Sequence, residues 1–148
     1  MPARSENSRR HKKPDLEQVL YILREVNALP IFGSEPMYEL NRKNIAKIES
    51  ALEIPFVSFF GEEKYKTLEE KAAAIFYYVS KNHAFPNGNK RTAVILMLAF
   101  LAENDKWVDF SAEELYSFSL EITSNPSKDH ETHLAEIAAT IKNHLIDF

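Results

Sequence analysis

Apolar residues recur with the period of an α-helix along most of this chain. Over residues 15–27, Leu16, Val19, Leu20, Leu23 and Val26 fall on one stripe, the spacing by which a helix buries one face. Asp15 and Gln18 stand three apart at its start, as in a capping box. Residues 38–52 set Ile45, Ile48 and Leu52 at helical spacing. Thr67 and Glu70 form the next capping box, opening a helix through residue 82 with Leu68, Ala72, Ile75, Phe76 and Val79 inward. After residues 83–88 comes NKRTAVILMLAFLAEN, apolar nearly all round from Ala93 to Leu101. A helix without a polar face has to be surrounded by others, so this one is expected at the centre. Ser111 and Glu114 cap a further helix with Leu115, Phe118 and Ile122 inward. After Asn125 and Pro126 a last helix runs through Leu134, Ile137, Ile141 and Leu145. The fold class expected is all-α: a helical bundle around a central buried helix, with no internal repeat.

One stretch breaks the period. Residues 53–66, EIPFVSFFGEEKYK, hold Pro55, Phe56, Val57, Phe59, Phe60 and Gly61, which read as a loop or short hairpin. Such an aromatic-rich segment either packs on the core or forms a flap over a site. The three glycines, Gly33, Gly61 and Gly88, all fall between helical segments.

Composition narrows the class. The 148 residues are 45% hydrophobic and 27% charged, ordinary for one globular domain with a proper core. Without cysteine there are no disulfides or thiolate metal sites. No apolar run reaches the roughly 18 residues needed to span a bilayer, and the N-terminus has no signal-peptide apolar region; the expectation is a soluble, cytoplasmic protein. The net charge of -4 is uneven. Residues 1–13 carry Arg4, Arg9, Arg10, Lys12 and Lys13 against Glu6, so a flexible basic tail precedes an acidic domain at 14–148. Basic tails are commonly solvated, and an acidic body argues against nucleic-acid binding.

The chemistry concentrates in HAFPNGNKRTA, residues 83–93, between two strongly helical segments. His83 is suited to proton transfer near neutral pH. Gly88 allows a turn or close approach of the backbone to a ligand. Asn89, Lys90 and Arg91 then fall on the first turn of the central helix, where backbone N–H groups and the positive end of the helix dipole lie. Cations there oppose the dipole, which makes sense if amides, Lys90 and Arg91 hold an anion together. A base at one end of a loop and an anion cradle at the other suit phosphoryl transfer. Singly, each residue also has a bland reading as a turn or a surface charge.

This segment resembles the motif of the Fic/Doc family, H-x-F-x-[DE]-[GA]-N-[GK]-R, at His83, Phe85, Gly88, Asn89, Lys90 and Arg91. Lys90 points to the Doc (death-on-curing toxin) branch, since typical Fic adenylyltransferases have glycine there. The flanking EEKAAAIFYYVSKNH and TAVILMLAFLAEN look like the corresponding family helices. The resemblance implies a Fic/Doc-like helical fold with a flap, here residues 56–62, that aligns the target segment. It implies that His83 deprotonates a target hydroxyl and Phe85 anchors the loop. Gly88 and Asn89 would cradle phosphate, and Lys90 and Arg91 would bind the ATP phosphates and stabilise charge in transfer.

Position 87 departs from the motif, because Asn87 stands where the family has its metal-binding acid. A neutral amide is a poorer Mg²⁺ ligand than a carboxylate, although Mg²⁺ can arrive bound to ATP. The family's inhibitory helix, [ST]-x-x-x-E-[GN], has no match. Ser58 with Glu62 and Ser127 with Glu131 have the spacing, but Glu63 and Thr132 follow. The resemblance therefore implies a small antitoxin on another chain, and a target protein, with the translation machinery as its expected source. Phosphoryl transfer to a protein hydroxyl, AMP transfer to one, and a non-catalytic nucleotide-binding module stand as alternatives. His130, His133 and His144 are expected to be solvent-exposed without a metal role, and Trp107 to seal the core after the central helix.

Overall fold

A computed structural model describes residues 11–26, 40–82, 88–123 and 129–148. The helices are α1 (Leu16–Val26), α2 (Arg42–Glu53), α3 (Leu68–Asn82), α4 (Asn89–Glu103), α5 (Ala112–Thr123) and α6 (His130–His144). A single 3-10 turn (Ile54–Phe56) leads into strands β1 (Ser58–Phe59) and β2 (Glu62–Glu63), and β3 (Lys106–Val108) pairs with β4 (Leu145–Asp147). The fold is the expected helical bundle.

Local chemistry explains the helix starts. Gln18 N–H donates to Asp15 Oδ2 at 3.1 Å. At α3 the capping box closes in both directions: Glu70 N–H donates to Thr67 Oγ1 at 3.1 Å, and Thr67 N–H donates back to Glu70 Oε1 at 3.1 Å. Ser111 and Glu114 repeat the arrangement at α5. The α2 start is later than expected, at Arg42, because Asn41 supplies the cap to Asn44 N–H; residues 38 and 39 lie outside the described residues.

The centre is α4, whose residues from Arg91 through Met97, with Phe100 and Leu101, are buried. It packs most extensively against α3, which in turn lies against α6. Phe56 meets Phe100 edge-on at 6.1 Å between ring centroids, and Phe76 stacks on Phe118 at 5.0 Å. Such aromatic pairs join the elements around α4 into one core.

The β3–β4 pair was not expected. After α4, Asp105 takes a left-handed conformation (φ 63°), turning the chain back so that Lys106 pairs with Asp147, Trp107 with Ile146 and Val108 with Leu145. Leu145 therefore lies in a strand and not in the last helix, which ends at His144. Trp107 is half-buried and stacks on Phe148 at 5.1 Å; the residue that closes the core here is the buried Val108. At the same end, Lys12 N–H donates to Asn104 Oδ1 at 2.7 Å and Asn104 Nδ2 donates to Lys12 O at 3.0 Å. The described start of the chain is thus tied to the C-terminal end of α4.

Two predictions follow from this packing. Phe100→Ala leaves a cavity between α4 and the Phe56 ring, and chemical denaturation should show a loss of about 3–5 kcal/mol. Asp129 caps α6 by accepting from Thr132 N–H at 3.0 Å and from Thr132 Oγ1 at 2.9 Å. The Thr132 amide, then its hydroxyl, hold that carboxyl below its ordinary 3.8. The ionised cap therefore adds stability above that value and loses it as pH falls through the lower folded value. Asp129→Asn, which does not titrate, should flatten the acid limb of a stability–pH curve below about pH 4.

Candidate active site

Gly88 is the N-cap of α4, in the left-handed region with φ 73° and ψ 18°, a conformation that disfavours any residue with a Cβ. It brings no capping side chain. The helical ladder begins where Thr92 N–H donates to Gly88 O at 2.8 Å, and Thr92 Oγ1 donates to the same oxygen, also at 2.8 Å. Thr92 was missed in reading the sequence; its signal was position, four residues after the glycine, where a hydroxyl can bond back to the i−4 carbonyl. This double bond fixes the entry angle of the chain into the helix.

Asn89 and Lys90 are half-buried, and Arg91 is 3% exposed. The first turn holds no acid, so its charge is wholly positive and adds to the positive end of the helix dipole. The first-turn backbone amides, Lys90 and Arg91 thus all belong to the positive end of one helix. His83, Phe85 and Asn87 lie outside the described residues. Among the described residues no three His, Asp or Glu side chains come together to hold a metal ion.

The last turns of α3 and the start of α6 assemble an aromatic cluster. Tyr77 lies 5.2 Å from Tyr78, 5.4 Å from His133 and 6.3 Å from His130. Burial, then the neighbouring Tyr78, push the Tyr77 hydroxyl above its ordinary 10.0. Tyr65 is hydrogen-bonded to Tyr78, and its own burial, then that bond, raise its pKa further. His133 is 4% exposed, contrary to the expectation of exposure, because it stands one turn before Ile137 on the buried face of α6. His130 is exposed, and His144 is half-buried with its Nδ1 2.7 Å from Asp109 Oδ1 and its ring stacked on Phe110 at 4.2 Å.

Residues 53–66 form both a 3-10 turn and a hairpin. Ser58 pairs with Glu63 and Phe59 with Glu62. The two turn residues both have positive φ, 52° at Phe60 and 81° at Gly61, as a type I′ turn requires. Val57, Phe59 and Phe60 point to solvent, and Phe60 is fully exposed. Residues 56 and 57, counted with the expected flap, belong to the turn that leads into the hairpin.

The Fic/DOC family model matches residues 14–101. This chain belongs to the Fic/DOC family. Within that family it is similar to Toxin Doc of Mycolicibacterium smegmatis, at 29% identity over 102 residues, 68% of this chain and 78% of that protein. No solved structure gives a significant match. The family match includes the hairpin, α3, the segment 83–91 and most of α4, so this Fic/DOC chain carries its family signature on the helix pair that forms the core. No helix among the described residues is long and apolar enough to cross a membrane.

The cap geometry is testable. Gly88→Ala forces a Cβ into the left-handed region and should lower stability by about 1–2 kcal/mol, while weakening the binding of inorganic tripolyphosphate. Gly61→Ala is the control: φ is +81° but nothing lies within 4 Å of the added Cβ, so a thermal melt should fall with tripolyphosphate binding unchanged.

Proposed function

We propose that this Fic/DOC protein is a Doc-like toxin that transfers the γ-phosphoryl group of ATP to a hydroxyl on a target protein. The observation that carries this reading is Lys90 on the first turn of α4, beside Arg91 and the left-handed Gly88. At this position lysine occupies with charge the room that a glycine would leave for phosphate, which favours presenting the γ-phosphate for transfer. In this mechanism the target hydroxyl gives its proton to His83 as its oxygen attacks the γ-phosphorus. The bond from that phosphorus to the bridging oxygen breaks, and ADP leaves. Lys90, Arg91 and the α4 amides meet the charge that spreads over the transferring oxygens. Gly88 and Asn89 bring the backbone close to the phosphates, and Phe85 anchors the loop. Asn87 would offer an amide oxygen to Mg²⁺ bound with the triphosphate, and the ion would supply charge neutralisation.

The similarity to a chain named Toxin Doc supports the toxin assignment. A small antitoxin on another chain fits the lack of an inhibitory helix motif in this sequence, and the translation machinery is the proposed source of the target. Asn87 favours a second reading, in which the protein binds nucleotide without modifying anything.

The deciding experiment incubates the chain with Mg²⁺, a ribosome-containing bacterial extract and either γ- or α-labelled ATP. Label from the γ position alone is expected on a protein band. His83→Ala should reduce it about a hundredfold or more with ATP binding retained. Label from the α position would mean AMP transfer, and no label from either, with ATP bound, would mean the non-catalytic reading. Growth of bacteria expressing the chain alone should stop; unimpaired growth at high expression would end the toxin assignment.

A further inference from the structure

Lys71 is 0% exposed, although lysine is almost never fully buried unless its ammonium is paired. Here the pairing is directional. Its Nζ donates to Glu63 Oε1 at 2.6 Å and to the backbone carbonyl of Tyr65 at 2.6 Å. Both acceptors belong to the second half of the hairpin and the residues leaving it, whereas Lys71 stands on the first turn of α3.

A hairpin of two residue pairs has no stability of its own, so its position depends on what ties it down. Lys64 N–H closes the base by donating to Val57 O at 3.0 Å. The exposed pair of Lys66 with Glu62 at 3.8 Å stays within the segment and contributes little. On the entering side, Phe56 rests against Phe100. On the leaving side, Tyr65 is buried and reaches Tyr78, and Lys71 supplies the ion pair. The same helix leads, about 16 Å further on at 1.5 Å per residue, into the segment that holds His83.

We infer that Lys71 is a positioning residue: a buried strut that sets the β1–β2 hairpin at a fixed place relative to the phosphate cradle, so that a protein substrate meeting the hairpin is presented to the transferred group. Its use in catalysis rests on the transferase reading. The outward apolar side chains of Val57, Phe59 and Phe60 give the hairpin a surface with a reason to meet a polypeptide. An ammonium bonded to a backbone carbonyl as well as a carboxylate fixes direction in addition to distance, which an apolar contact at this position would not do.

The test is Lys71→Met, which keeps the side-chain volume and removes one partner of the buried pair, a change that lowers stability but leaves the other partner, Glu63, 28% exposed and able to be rehydrated. The thermal melt should fall, while ATP affinity stays at the wild-type value. Amide hydrogen exchange at residues 58–63 should accelerate about tenfold or more. Label transfer from γ-labelled ATP in the ribosome-containing extract should fall by up to about a hundredfold, with the KM for ATP unchanged and the loss relieved by raising the extract concentration. Wild-type transfer together with unchanged exchange would overturn the strut, and so would a loss that appears only as a raised KM for ATP. Should Lys71→Met fail to fold, Glu63→Gln probes the same contact from a side chain that is 28% exposed. It should speed exchange at 58–63 and slow transfer, and no change in either overturns the proposal. If the wild-type chain transfers nothing, the transferase reading fails by itself, and unchanged exchange in Lys71→Met still decides against the strut.

Discussion

A helix without a polar face can exist in water only if other elements cover it on every side, and that demand organises this protein. Ala93 to Met97, Phe100 and Leu101 are all buried, so α4 has no freedom to tilt or slide without opening the core. The burial reaches Thr92 and Arg91, which means that the first turn is held as firmly as the middle. The backbone amides of that turn are therefore held in a fixed orientation. Preorganised dipoles of this kind need no rearrangement as charge develops, which is where most electrostatic stabilisation of a transition state comes from. Gly88 completes the arrangement by turning sharply into the helix without a side chain in the way.

The neighbouring helix α3 carries the other parts. Its N-terminal turn is locked by a reciprocal capping box and holds the hairpin through Lys71. Its C-terminal turns hold Tyr77 and Tyr78 against the start of α6, just before the chain enters the segment with His83. One rigid element thus spans the distance between a surface able to meet a polypeptide and the end of α4. Because α3 also makes the most extensive contact with α4, the hairpin anchor and the start of α4 belong to a single packed unit.

Most of the helical frame was legible in the sequence because it rests on period and on caps, both of which are local. The capping boxes at 67–70 and 111–114 have their predicted hydrogen bonds, and the apolar segment after Ala93 is central as its lack of a polar face required. The strands β3 and β4 were not legible, because three residues are too few for alternation to stand out and their partners lie far apart in the chain. Lys71 and His133 were misread or passed over for one reason: each occupies a position on the buried stripe of its helix, Lys71 three residues after Leu68 and His133 four before Ile137. Residue type suggested solvent where register placed them inside. Of the site, Gly88 and the first-turn cations were legible from spacing, whereas the Thr92 bond to Gly88 O depends on the backbone geometry of the cap.

Among the described residues, Lys12 is held at the opposite end of the central helix from Lys90 and Arg91. Lys12 is tied to Asn104 just beyond the C-terminus of α4, and Lys13 forms an ion pair with Glu53, while Lys90 and Arg91 are on the first turn. Fifteen helical residues separate these ends, about 22 Å at 1.5 Å per residue, more than two Debye lengths at physiological ionic strength. Lys12 and Lys13 therefore add little to the field at the start of α4, and Lys13 is already paired with Glu53. The positive potential at the start of α4 arises locally, from Lys90, Arg91, the helix dipole and the amides after Gly88.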